Sequence, residues 1–268
     1  MLILKTKISL RINSHSVFNN TFFFLLLCFV CFGLSAQDSK VTNKKPKLYF
    51  DQGEQGGWVP YRRGADVGRP GILIELTQAM QEYSDIQFVP LTLPSKRAEK
   101  ALKNGLIDFD FISLEWLKDG LLGEEYLATE SLFEITEHLI TLKKNTHLFP
   151  TRDSIFGQHV GTIAGYLYFD DNKFIRSDFL NENQLMRGLK YDRFKVIILE
   201  RETAKYWAKV NDTEIDFAAL HTSGHILMRV RKKHSQLIPL LNQTIKAIKD
   251  SGKLNAIMQS HGVKSNIH

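Results

Sequence analysis

Leu93-Pro94-Ser95-Lys96-Arg97 and, a few residues on, Leu102-Lys103-Asn104-Gly105-Leu106-Ile107-Asp108 decide the reading of this chain. Proline fits the first turn of a helix, where no backbone donor is needed. Asn104-Gly105 is a strong helix stop, because glycine adopts the left-handed conformation that ends a helix. The segment predicts a helix from Pro94 to Lys103 and a short buried strand from Ile107 to Ile112. Upstream, Lys47 to Phe50 reads as a first strand. Residues 72–83 carry Ile72, Leu73, Ile74, Leu76, Met80 and Tyr83, which suits an amphipathic helix. Ile86, Phe88, Val89 and Leu91 mark a second strand. The order strand, helix, strand, helix, strand predicts α/β layers with a parallel sheet.

A second round starts near His138. Leu139 to Leu142 and Val160 to Ile163 read as strands, residues 182–189 as a helix and Phe194 to Leu199 as a strand. Gln236 to Met258 is helical, interrupted at Asp250-Ser251-Gly252. Extended segments near 133–139 and 224–230 join the two units. Ligands of such sheets bind beyond the carboxyl ends of the strands. Clefts between lobes are favoured small-molecule sites.

The chain has 268 residues, 43% of them hydrophobic and 24% charged, which excludes a disordered or collagen-like protein. Its formal charge is +6. Lys5, Lys7 and Arg11 supply half of that, because residues 1–36 hold no acid. The remainder is too weakly and diffusely basic for a nucleic-acid partner. The basic start, the apolar run Phe22 to Leu34 and the small Ser35-Ala36 have the form of an export signal cleaved near Ala36. Cys28 and Cys31 lie inside that run, so the exported part has no disulfide, thiol nucleophile or cysteine metal site.

In order, Trp58-Val59-Pro60-Tyr61, Gly71-Ile72-Leu73-Ile74-Glu75-Leu76, the two stretches quoted first, Gly157, Gly161, Gly165 and Tyr166, Arg193, Glu200 to Trp207 and the closing helical stretch resemble bacterial extracellular solute-binding proteins of family 3. The resemblance spans about residues 47–262. It implies a two-lobed α/β fold of the type II periplasmic binding protein kind, with an interlobe ligand cleft and a hinge. Lobe 1 is expected at 45–136 with 228–268, and lobe 2 at 137–227. The implied function is periplasmic binding of a small polar solute, an amino acid or amino-acid-like compound, for an ABC-type importer. A sensor of the same fold acting on a membrane partner is the alternative. An enzyme, a cofactor, a metal site or an oligomer is not expected.

The departures fall where the ligand would be read. The family usually carries a carboxylate-clamping arginine shortly after the last lobe-one strand. Here Ser113-Leu114-Glu115-Trp116-Leu117-Lys118 offers Ser113 but no arginine. Arg97, early in the helix after Pro94, is expected to meet the ligand, since a guanidinium grips a carboxylate through two parallel hydrogen bonds, with a surface arginine as the alternative. Trp58, Tyr61 and Trp116 are large aromatics in loop-like sequence, expected to cover a ligand. Thr162 and Tyr166 flank a glycine turn suited to an anionic group. Glu200 is expected to hold a cationic group, with a helix-start role as the alternative. Asp108 and Asp110 share one side of a strand. His221 and His225 are four apart, but Gly224 between them predicts a turn. Arg229, Arg231, Lys232, Lys233 and His234 read as a solvated basic strand end.

Overall fold

The computed structural model describes residues 45–64 and 68–264. The export-type run and its two cysteines lie outside the described residues. Strand β1 (Lys47–Asp51) leads through a glycine-rich loop to helix α1 (Ile72–Glu82) and strand β2 (Gln87–Leu91), which pairs in parallel with β1. Helix α2 (Ser95–Asn104) starts just after Pro94 and ends on left-handed Gly105, whose amide donates back to Leu102. Strand β3 (Phe109–Ser113) follows. The elements foreseen from the quoted stretch are all present, within one or two residues at their ends.

The rest departs from a simple parallel sheet. Strands β4 (Tyr126–Ala128) and β5 (Phe133–Leu142) line one edge of a 17-residue strand, β9 (Ile215–Arg231), and β3 lines the other, all antiparallel to it. Beyond β5 come β8 (Val196–Glu200), β6 (His159–Ile163) and β7 (Ile175–Phe179), in that spatial order. Strands β5 and β9 are therefore continuous from one half of the molecule to the other. The turn expected at Gly224 is not formed, and Gly224 sits mid-strand. Its missing side chain makes room for another reason. A Cβ there would lie 2.2 Å from the Glu115 carboxylate and 2.5 Å from the Ser113 hydroxyl.

Two bulges interrupt the β5–β9 ladder, and the register skips His221 and Ala218. A bulge re-aims the extra residue. His221 is buried as a result, 3.1 Å from Asp170.

Helices α3 (Glu182–Lys190) and α4 (Arg201–Val210) cover one face of β6 and β8. Val196 and Ile198 pack on the opposite face with Phe149, Ile155, Val160 and Phe174. The C-terminal helices α5 (Ile238–Asp250) and α6 (Lys253–Ser260) return to the first half. Their Leu241, Ile245, Ile248, Leu254 and Met258 pack with α1, β1 and β3. The loop after β1 joins the two halves. Trp58 and Tyr61 belong to the core of the first half, while Val59 between them packs with Leu185, Ala204 and Trp207 of the second. The Trp207 indole donates to the Gly57 carbonyl at 2.8 Å, and the Asn183 amide donates to the Gly56 carbonyl at 3.0 Å.

Candidate functional site

The cleft between the halves encloses about 780 Å³ of space, counting the part open to solvent. One wall comes from the loop after β1 and the end of β3. Trp58 meets Trp116 edge-on, with ring centroids 6.0 Å apart. The Arg62 guanidinium lies 5.6 Å from the Trp58 ring and donates to buried Asp51 at 3.2 Å. Asp51 is fixed in turn by the amides of Gly53 and Leu93, at 2.9 and 3.1 Å.

The floor is charged. Arg229, only 4% exposed, stands opposite Asp110 across the β3–β9 ladder. It grips Asp110 in a two-pronged pair, Nε to Oδ1 at 3.0 Å and Nη2 to Oδ2 at 2.6 Å. The same Nη2 reaches Glu99 at 2.6 Å, and Tyr126 covers the guanidinium at 5.1 Å. Three of the five N–H donors of Arg229 are thus committed to two carboxylates.

The other wall carries two buried carboxylates side by side. Glu137 on β5 stands directly opposite Glu200 at the end of β8. Such neighbours have Cβ atoms about 5 Å apart, and like charges there destabilise a sheet. Glu200 caps α4, accepting from the Thr203 amide at 2.9 Å, and accepts from the Tyr61 hydroxyl at 3.2 Å. Glu137 accepts from the Thr222 hydroxyl at 2.5 Å and has His221 Nδ1 at 3.8 Å. Burial pushes Glu200 up to about 7 despite its hydrogen bonds. Burial would lower the His221 pKa, but the carboxylates of Asp170 and Glu137 raise it to about 9.

Tyr166 completes this wall and donates to Glu182 at 2.5 Å. Glu182 is fully buried at the start of α3, and its second oxygen has no partner. Burial holds its pKa at about 7. The folded protein therefore keeps protons on Glu182 and Glu200 that the unfolded chain releases near pH 4.5. Stability from this source is complete below that pH and is lost as pH rises through 7, by up to about 3 kcal/mol per group. Thermal melts are expected to fall from pH 5 to pH 8. Glu182→Gln, neutral at every pH, is expected to flatten that slope. An unchanged slope would rule out Glu182 as a source.

No protein-family model and no curated protein matches the sequence. Solved structures do. An ancestral arginine-binding protein bound to arginine superposes with a TM-score of 0.66 at 19% identity, over 81% of this chain and 98% of that one. The GluR0 ligand-binding core complexed with L-glutamate gives 0.67 at 14%, over 80% and 97%. AbpA, an amino acid ABC transporter substrate-binding protein from Streptococcus pneumoniae bound to L-arginine, gives 0.64 at 16%, over 81% and 94%. The fold is that of the type II periplasmic binding proteins.

Within this periplasmic-binding-protein fold the expected site residues separate into two groups. Trp58, Trp116, Tyr166 and Glu200 line the cleft. Tyr61, Ser113 and Thr162 sit behind it. Tyr61 is buried, stacked on Phe133 with ring centroids 5.7 Å apart, and reaches the site through Glu200 and through the Trp58 ring, 4.6 Å from its own. Ser113 donates to Glu115 and Thr162 to Asp178, at 2.6 and 2.7 Å. Arg97 is exposed and off the cleft wall, because Ser95, Ala98 and Glu99 form the side of α2 that faces in. The sequence reading missed Arg62, Glu137 and Arg229. Glu137 gave no clear signal, because Thr136 and His138 beside it make a polar interruption between Ile135 and Leu139. Arg62 follows Tyr61 directly. Arg229 is not part of a solvated strand end, since flanking strands and Glu99 enclose it.

Proposed function

We propose that this protein binds a small polar solute, an amino acid or amino-acid-like compound, in the cleft and hands it to an ABC-type importer outside the cytoplasm. The binding lobes are residues 45–136 with 228–268, and 137–227. An N-terminal export signal removed near Ala36 fits that location. One observation carries the reading: Glu137 and Glu200 are buried neighbours in an aromatic-walled cleft, held by the Thr222 and Tyr61 hydroxyls and the Thr203 amide, with the His221 imidazole 3.8 Å from Glu137. A cationic group of a solute favours the ionised form of Glu200, the one acid of the pair with no cation beside it among the described residues. The likeness to the GluR0 ligand-binding core is compatible with a second reading, a sensor that closes on the same solute and signals to a membrane partner.

A thermal-shift screen on protein stripped of carried-over solute tests the reading. A solute at a hundred times its Kd adds about 2.7 kcal/mol, which raises the melting temperature by about 5–10 °C in a domain of this size. Amino acids with a free amine are expected to give that rise. Glu200→Gln keeps the cap and the Tyr61 contact but cannot ionise against a bound cation. It is expected to weaken the effective solute about ten- to a hundredfold. Absence of a rise with every amino acid and amine tested, or an unaffected Glu200→Gln, would count against the reading.

A further inference from the structure

We propose that Arg62 is the group that grips the solute's carboxylate, so that the cleft takes amino acids in preference to the corresponding bare amines. The proposal rests on the binding function just given and adds the solute's second contact point. Where an arginine is expected after β3, the chain has Trp116 and the exposed Lys118, and Lys118 does not line the cleft. Of the two arginines that do, Arg229 already makes three hydrogen bonds to two carboxylates. Arg62 makes one, from Nη1 to Asp51. Its Nε is buried without an acceptor among the described residues. An unmatched buried donor is costly, and a ligand oxygen is the acceptor the cleft can receive.

The guanidinium is also held ready. Asp51 cannot turn away, because its other oxygen accepts two backbone amides. The Trp58 ring supports the guanidinium from one side. A fork fixed in this way loses little entropy on gripping a carboxylate. Arg62 comes from the loop after β1 and the Glu137–Glu200 pair from β5 and β8, and all three line the cleft. A zwitterion fits both, its carboxylate on the first half and its ammonium on the second. Its binding therefore draws the walls together.

The test uses matched probes that differ only by the carboxylate: L-arginine with agmatine, L-lysine with cadaverine and L-histidine with histamine. Calorimetry on the wild-type protein is expected to show the amino acid of a pair binding about ten- to a hundredfold more tightly than its amine. In Arg62→Gln the amino acid is expected to fall to the level of its amine, while the amine keeps its affinity. A protein merely damaged by the change would lose both. If Arg62→Gln does not fold, Arg62→Lys keeps a cation beside Asp51 but loses the fork, and an intermediate ratio is expected. Amines binding as tightly as amino acids in the wild type, or a preference that survives both variants, would overturn the assignment and leave the cation-binding cleft standing. No binding by any probe would overturn the cleft reading itself, and Arg62 with it.

Discussion

Arg229→Met is expected to destabilise the folded protein by about 3 kcal/mol, the lower end of what removing one partner of a buried ion pair costs. Arg229 is enclosed by β3, β4 and Glu99, and holds Asp110 through two hydrogen bonds. Methionine fills much of the space, so the loss is mainly the carboxylate left behind. Glu99 is half exposed and can turn to water, whereas the Asp110 side chain is only 16% exposed. Urea denaturation of the single variant, and of Arg229→Met combined with Asp110→Asn, separates these contributions. The double variant is expected to recover most of the loss, because no charge is then stranded. If the single variant melts like the wild type, the pair is not the structural charge centre described above.

Gly165→Ala is expected to weaken solute binding about five- to a hundredfold while leaving each apolar core intact. Gly165 lies in the turn after β6, and a Cβ there would come within 2.7 Å of the Lys96 Cα and 2.8 Å of the Ser95 carbonyl. Those atoms are backbone at the start of α2, on the far side of the cleft, and cannot yield as a side-chain tip would. Overpacking of this kind costs about 1–3 kcal/mol. The halves relieve it by moving apart, so the cost is charged to the closed form and reduces the fraction competent to hold solute. The positive φ of 91° at Gly165 adds strain for any other residue, whether the cleft is open or closed. Titration calorimetry against the effective solute, with a thermal melt of the unliganded protein as reference, checks the prediction. Undiminished affinity would mean that this contact is no part of closure.

The local signals in the sequence were enough for most elements. Pro94 and Gly105 bracket α2, and the apolar spacing of residues 72–83 gives α1. The long strand β9 was not legible. Its polar middle, Leu220 to His225, breaks the apolar run, and the bulges at His221 and Ala218 shift the alternation twice. Gly224 then reads as a turn. In the site, aromatic residues in a glycine-rich loop drew attention to Trp58, which the fold sets in the cleft wall, as it does the helix-start acid Glu200. Arg229 was beyond reach. Its burial depends on Asp110, 119 positions earlier in the chain, and no local pattern pairs the two. Arg97 and Arg62 could not be ranked from composition either, since only the turn of α2 and the path of the loop decide which guanidinium meets the cleft.

Adjacent residues of the loop after β1 are rooted in different cores, Val59 in one and Trp58 and Tyr61 in the other. Together with β5 and β9, which run through both halves, this ties the melting of either core to that of the other. The two halves are thereby made to unfold as one cooperative unit rather than in sequence. A substitution deep in α4, far from the N-terminal strands, is felt by the whole domain through Val59.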